Sequence, residues 1–258
     1  MRFGKVASRA RAVLATFFAL VIGFATIAAA PRTAHAKGSS LGDPLRLEVP
    51  NGADAFYYKP RGKGPKPVVM YLHGRGGNPQ EDCRKWARVA TEFGWVICPQ
   101  GPEDRGGGSR AWANGAGGAG QRVVDDTLAA LRSKYGSRVL RRGHILVGFS
   151  EGAFMAQQVG LNEQSTWSRW LILAASDHYW VGDTASALKS GRGHLRRVFL
   201  LTGENDGVAQ NTVRVGETLR KAKVPVKVRL VPGMGHEVPE DRMIALYRRP
   251  LAWLAAAK

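Results

Sequence analysis

Cysteine is scarce in this chain: two in 258 residues, Cys83 and Cys98. That excludes a disulfide-stapled scaffold and a thiolate metal cluster, and it leaves one bridge at most. Acidic residues are also few, 20 against 38 Lys and Arg, for a formal charge of +18. Such a surplus draws a protein toward anionic envelope polymers, acidic lipids or an acidic substrate. Specific nucleic-acid recognition has no basis here: there is no zinc-finger spacing, no RNA-binding aromatic signature and no basic helix with heptads. The basic pairs Arg141-Arg142, Arg196-Arg197 and Arg248-Arg249 are scattered along the chain, which reads as a solvated basic surface. No His/Asp/Glu spacing suggests a metal. The glycine runs at 106–108 and 115–120 lack the Gly-Lys-Ser/Thr of a phosphate loop, so no cofactor is expected.

Long apolar runs are missing after residue 30, but one precedes it. Arg2, Lys5, Arg9 and Arg11 are followed by an apolar stretch from Ala12 to about Ala30 and then by Ala34-His35-Ala36. This is the build of a secretory signal, with cleavage expected after Ala36 and a secreted or periplasmic product. An uncleaved anchor is the alternative, since the stretch approaches the ~18–20 residues that span a bilayer. Pro31 and the Ala-x-Ala site favour cleavage. Residues 1–36 hold five bases and no acid, so the exported chain of residues 37–258 would carry +13. At 44% hydrophobic residues it can build one sizeable core.

Within that span a hairpin (45–49 and 55–58 around Asn51-Gly52) precedes an alternation of strands and helices. Strands are expected at 68–72, 95–98, 144–147, 170–174, 198–201 and 226–231. Helices are expected at about 81–93, 121–135, after residue 150, 212–222 and 241–256. The alternation predicts an α/β class: a mostly parallel sheet with helices on both faces. Cys83 at a helix start and Cys98 at the next strand end would lie on one side of that sheet. A disulfide between them is geometrically allowed; two buried thiols are the alternative.

In such sheets the chemistry lies beyond the strand carboxyl ends. Gly148-Phe149-Ser150-Glu151-Gly152 sits between the apolar run 144–147 and a helix-like stretch, which is the setting of a nucleophile elbow. The turn is tight enough that its flanking residues must be nearly free of side chains. Asp206 follows the strand at 198–201, and His236 follows the strand at 226–231. The order serine, aspartate, histidine supplies a nucleophile, an orienting acid and a base at three strand ends. Glu204 is the alternative acid. His73-Gly74-Arg75-Gly76-Gly77, after 68–72, can turn a backbone N–H of Arg75 toward an oxyanion. The second donor would be the N–H of Glu151. His73 itself reads as a loop-holding residue. Trp112, Tyr179 and Trp180 are candidates for substrate contact, with core packing the alternative for each.

Through these motifs the chain from about residue 45 onward resembles the α/β-hydrolase superfamily. It is similar to its compact branches: carboxylesterases, dienelactone hydrolases and polyhydroxybutyrate depolymerases. About two dozen residues separate the strands at 170–174 and 198–201, too few for a large cap domain. The resemblance implies hydrolysis of small or polymeric esters through an acyl-enzyme on Ser150, and less often of thioesters, amides or peptides. Serine in place of cysteine departs from dienelactone hydrolases proper. Two other readings stay open: a non-catalytic envelope-binding protein on this fold, and a serine peptidase.

Overall fold

Unbroken apolar runs, buried on both faces, build the frame. The structure, a computed structural model, describes residues 41–113, 118–178, 180, 184–191 and 193–257. The expected signal segment, residues 1–36, lies outside them. The elements in chain order are β1 (Leu45–Leu47), β2 (Ala55–Tyr58), β3 (Val68–Leu72), α1 (Pro79–Ala90), β4 (Trp95–Cys98), β5 (Glu103–Asp104), β6 (Arg110–Ala111), α2 (Ala119–Tyr135), β7 (Ile145–Phe149), α3 (Glu151–Asn162), β8 (Arg169–Leu173), α4 (Thr184–Ser190), β9 (Arg197–Gly203), α5 (Ala209–Lys221), β10 (Val226–Val231) and α6 (Met243–Ala255). Eight strands form one sheet in the order β1-β2-β4-β3-β7-β8-β9-β10. The β1–β2 and β2–β4 pairs are antiparallel and every other pair is parallel.

Because side chains alternate across a strand, the central strands feed two cores. Val68, Met70 and Leu72 of β3 join Leu128 of α2, Val159 of α3 and Leu219 of α5 in one. Val69 and Tyr71 join Trp86 of α1 and Tyr247 of α6 in the other. Helices therefore cover both faces, as the alternation predicts. The edge strand β10 buries little and exposes Lys227 and Arg229, charges that discourage pairing with another sheet.

The differences from expectation are local. Helix α1 starts at Pro79, because Asn78 accepts from the N–H groups of Gln80 and Glu81 and the proline fits the first helical position. Helix α5 starts at Ala209 rather than 212. The short α4 and the β5–β6 hairpin within the glycine-dense loop carry too few residues for a periodic signal. The disulfide is not formed: Cys83 and Cys98 are buried free thiols. The Cys83 thiol donates instead to the Phe56 carbonyl, 3.3 Å away. Burial first, and then Cys83, pushes the Cys98 thiol well above its ordinary range. Among the described residues no helix is long and apolar enough to cross a membrane.

Charge is not scattered over this frame. Glu103, Asp104, Asp177, Glu204, Asp206 and Glu237 follow strand carboxyl ends. Arg141-Arg142 and Arg196-Arg197 precede or open strands at the amino ends, where the register sets Arg169 beside Arg197. The third basic pair differs: Arg248 on α6 is bonded to Glu92.

Candidate active site

Strand β7 delivers Ser150 into a turn that only a special backbone can make. Ser150 has φ 55° and ψ −121° before α3 begins at Glu151, a region costly for a side-chain-bearing residue. The two glycines around it are sterically required. A Cβ on Gly148 would lie 2.3 Å from the Gly152 carbonyl oxygen, and one on Gly152 would lie 2.1 Å from that of Leu72. Gly203 at the end of β9 is a third case, which sequence reading missed. A Cβ there would meet the Met234 carbonyl oxygen at 2.0 Å, so this glycine lets the loop bearing His236 cross the strand end.

The three strand-end residues meet. His236 Nε2 lies 2.9 Å from Ser150 Oγ, and its Nδ1 lies 3.0 Å from each Asp206 carboxylate oxygen. Asp206 is buried. Burial alone would raise its carboxyl, but hydrogen bonds from the Thr202 hydroxyl, the Val208 N–H and His236 outweigh that and hold it below the ordinary range. An ionised Asp206 can only accept, so His236 carries its proton on Nδ1 and presents Nε2 as the acceptor for the Ser150 hydroxyl. The His236 ring stacks on Phe149 with centroids 4.9 Å apart. Glu204, the alternative acid, is exposed.

The His73 turn lies against this elbow. A Cβ on Gly74 would touch the Phe149 ring at 3.0 Å and Ser150 Cβ at 3.4 Å. His73 is buried and holds the loop as expected. Its Nδ1 donates to the Gly74 carbonyl at 2.8 Å, and its Nε2 accepts from the Gly101 N–H at 3.1 Å. Burial drives its pKa down to about 4, which keeps the ring neutral for both bonds. Glu151 does more than supply an N–H. Its buried carboxylate accepts from Arg75 Nη2 at 2.9 Å and from the Trp112 N–H at 3.1 Å. It thereby ties the elbow to the two segments beside it, at a helix start that favours negative charge. The signal was the acid inside the Gly-x-Ser-x-Gly pentapeptide.

A cavity of about 380 Å³ opens over the serine, lined by Arg75, Ser150, Glu151, Phe154, Ala174, Ser176, Val208 and His236. One expected substrate contact is corrected. Trp112 is fully buried, with its indole N–H on the His73 carbonyl at 2.8 Å, so it props the loop and does not line the cavity. Trp180 donates to Gln157 at 2.9 Å and packs on the core. Tyr179 lies outside the described residues. Phe154, Ala174, Ser176 and Val208 take the lining role, and none carries a motif that would have marked it. Among the described residues, no group of three His, Cys, Asp or Glu could hold a metal ion.

No family model matches this sequence, and neither does any curated protein. Solved structures do. Esterase PE8 superposes with a TM-score of 0.60 at 21% identity, over 83% of this chain and 100% of its own. The Bacillus cereus carboxylesterase gives 0.57 at 17%, over 78% and 92%. The S-formylglutathione hydrolase FrmB from Staphylococcus aureus gives 0.62 at 16%, over 82% and 95%.

The fold is that of the α/β hydrolases. Its mostly parallel sheet places the elbow at the end of β7, within the eight strands, and β9 and β10, which carry Asp206 and His236, lie beyond the intervening β8. On such an α/β-hydrolase frame the site is assembled from loops that the sheet itself holds in register.

Proposed function

We propose that this protein is a serine hydrolase that cleaves carboxylic esters. The observation carrying the proposal is the continuous hydrogen-bond chain from Ser150 Oγ through His236 to Asp206. In this reading Ser150 Oγ attacks the acyl carbon while its proton passes to His236 Nε2. His236 then gives that proton to the departing alkoxide, and Asp206 holds the imidazole in the right tautomer and stabilises the imidazolium. The backbone N–H groups of Arg75 and Glu151 are the proposed oxyanion donors; losing one such donor costs ~10²–10³ in rate in comparable sites. Water enters by the reverse sequence and releases the acid. The esterase and hydrolase names of the structural neighbours support this class, as does the opening of a cavity of about 380 Å³ over Ser150. Residues 37–258 are proposed as the exported catalytic domain, after removal of residues 1–36.

The test is labelling by a fluorophosphonate probe, with Ser150→Ala as control. Labelling that requires Ser150, together with turnover of short-chain aryl esters, is the expected result. A folded wild type that neither labels nor turns over esters would refute the reading. Cleavage of peptide reporters in preference to esters would reassign the substrate class.

A further inference from the structure

The end of the molecule opposite Ser150 carries its own recognition chemistry. The loops entering the parallel strands gather Lys66, Arg141, Arg142, Arg169, Arg196 and Lys223. No carboxylate of the described residues lies within ion-pair distance of any of these six. Two acids toward this end are already engaged: Glu163 accepts from Gln121, which also bonds Asp125, and Glu92 accepts from Arg248.

The arginines are close enough to disturb one another. Arg169 is held below the ordinary arginine range by burial and then by Arg197 and Arg196, and Arg132 by burial, with Arg141 adding to it against the pull of Glu163. Both spend their guanidinium groups on backbone carbonyls: Arg169 on Gly143 and Ala257, Arg132 on Arg141. In each, Nε is buried without a hydrogen-bond partner. His144 deepens the imbalance. Its Nδ1 accepts from the Val68 N–H at 3.1 Å, so its Nε2 carries the proton and faces Arg132 Nη2 at 3.0 Å, donor against donor. These buried donors give the face no internal acid to spare, and the exposed Arg141, Arg142, Arg196 and Lys223 around them are the groups that call for anionic oxygen from outside the chain.

Two features indicate what bears that oxygen. Leu140 is one of three exposed large apolar side chains among the described residues, at 40% exposure. It stands directly before Arg141-Arg142, on the rim of a hollow of about 640 Å³ lined also by Arg132 and Val139. An exposed leucine flanked by arginines suits the boundary between lipid headgroups and acyl chains. The Trp253 ring is not open as a stacking platform for nucleobases, being covered by Arg197 at 5.0 Å and Lys227 at 4.8 Å.

We propose that the strand amino-end face is a docking surface for an anionic phospholipid bilayer, with Leu140 entering the headgroup boundary and the surrounding bases taking the phosphates, so that Ser150 faces away from the membrane.

The experiment is vesicle co-flotation of the full-length chain, with the same N-terminus in every variant so that residues 1–40 contribute equally. Vesicles of equal parts phosphatidylglycerol and phosphatidylcholine are compared with pure phosphatidylcholine. The expected result is a preference for the anionic vesicles that fades at high salt. Arg141→Gln/Arg142→Gln should cut anionic-vesicle partitioning about 25-fold, at roughly fivefold per basic residue at the surface. Leu140→Ser should weaken it further. The exposed pair Arg105→Gln/Arg242→Gln, at the Ser150 end, should leave it unchanged. Thermal melts verify that each variant is folded. Equal binding to neutral vesicles overturns the proposal, and so does equal loss in the Arg105/Arg242 pair. Binding of duplex DNA or polyphosphate as tight as vesicle binding, with Leu140→Ser without effect, overturns it in favour of a soluble polyanion.

Discussion

Mild acidification should weaken this protein markedly, because two histidines are buried uncharged. His73 has its pKa driven down to about 4 and His144 to about 3, burial being the main cause in both. Unfolded, each would titrate near about 6.5. Between those limits the unfolded chain holds more protons, so this contribution is fully present above about pH 6.5 and is lost as pH falls. At about pH 5 the loss is about 2 kcal/mol for each ring, about 4 together. That is a large part of a usual stability of about 5–15 kcal/mol. Asp82, Asp125 and Glu163, raised chiefly by burial, act in the opposite direction. A wild-type profile therefore mixes signs, and a variant separates them. His144→Gln keeps an acceptor for the Val68 N–H but cannot titrate. Urea unfolding at about pH 8 and about pH 5 should show a midpoint drop in wild type of about 1–2 M. In His144→Gln about half of that drop should vanish, even though the variant is weaker at the higher pH. An unchanged drop would refute the assignment of the acid lability to this ring.

Four further outcomes are expected. Gly152→Ala should lose several kcal/mol or fail to fold, since its Cβ would stand 2.1 Å from a backbone oxygen; expression and melting temperature report this. Asp206→Asn should keep the fold and drop kcat by about 10⁴, through the wrong histidine tautomer; a fall confined to KM would contradict that role. Glu151→Gln should destabilise by about 1–3 kcal/mol and lower kcat, as Arg75 and the Trp112 segment lose a charged acceptor; steady-state kinetics with a melt measures both. Reductant should leave the melting temperature unchanged, because no disulfide is present.

The central strands were legible as short unbroken apolar runs, and the helices by the spacing of their apolar residues. Alternating residues in β3 feed two cores, and Leu128 and Leu131 mark the buried face of α2 at helical spacing. Ser150, Asp206 and His236 were legible for a different reason: each comes within a few residues after an apolar run, so topology brings them to one rim. The cavity wall was not. Ala174, at φ 58°, and Val208 line it through backbone path rather than residue chemistry. Trp112 misled because a tryptophan in a glycine-rich loop looks exposed, whereas here its indole fills the space beneath the His73 turn. The basic pairs looked scattered for the converse reason. Residues far apart in sequence stand side by side wherever parallel strands begin.

That partition of charge gives the molecule a fixed electric axis along its strands, with practical use. A sulfonated cation-exchange bead at low salt would capture the protein by the strand amino ends. The Ser150 mouth would then point into the flowing liquid, so an adsorbed layer would keep its access to reagents without any engineered tether.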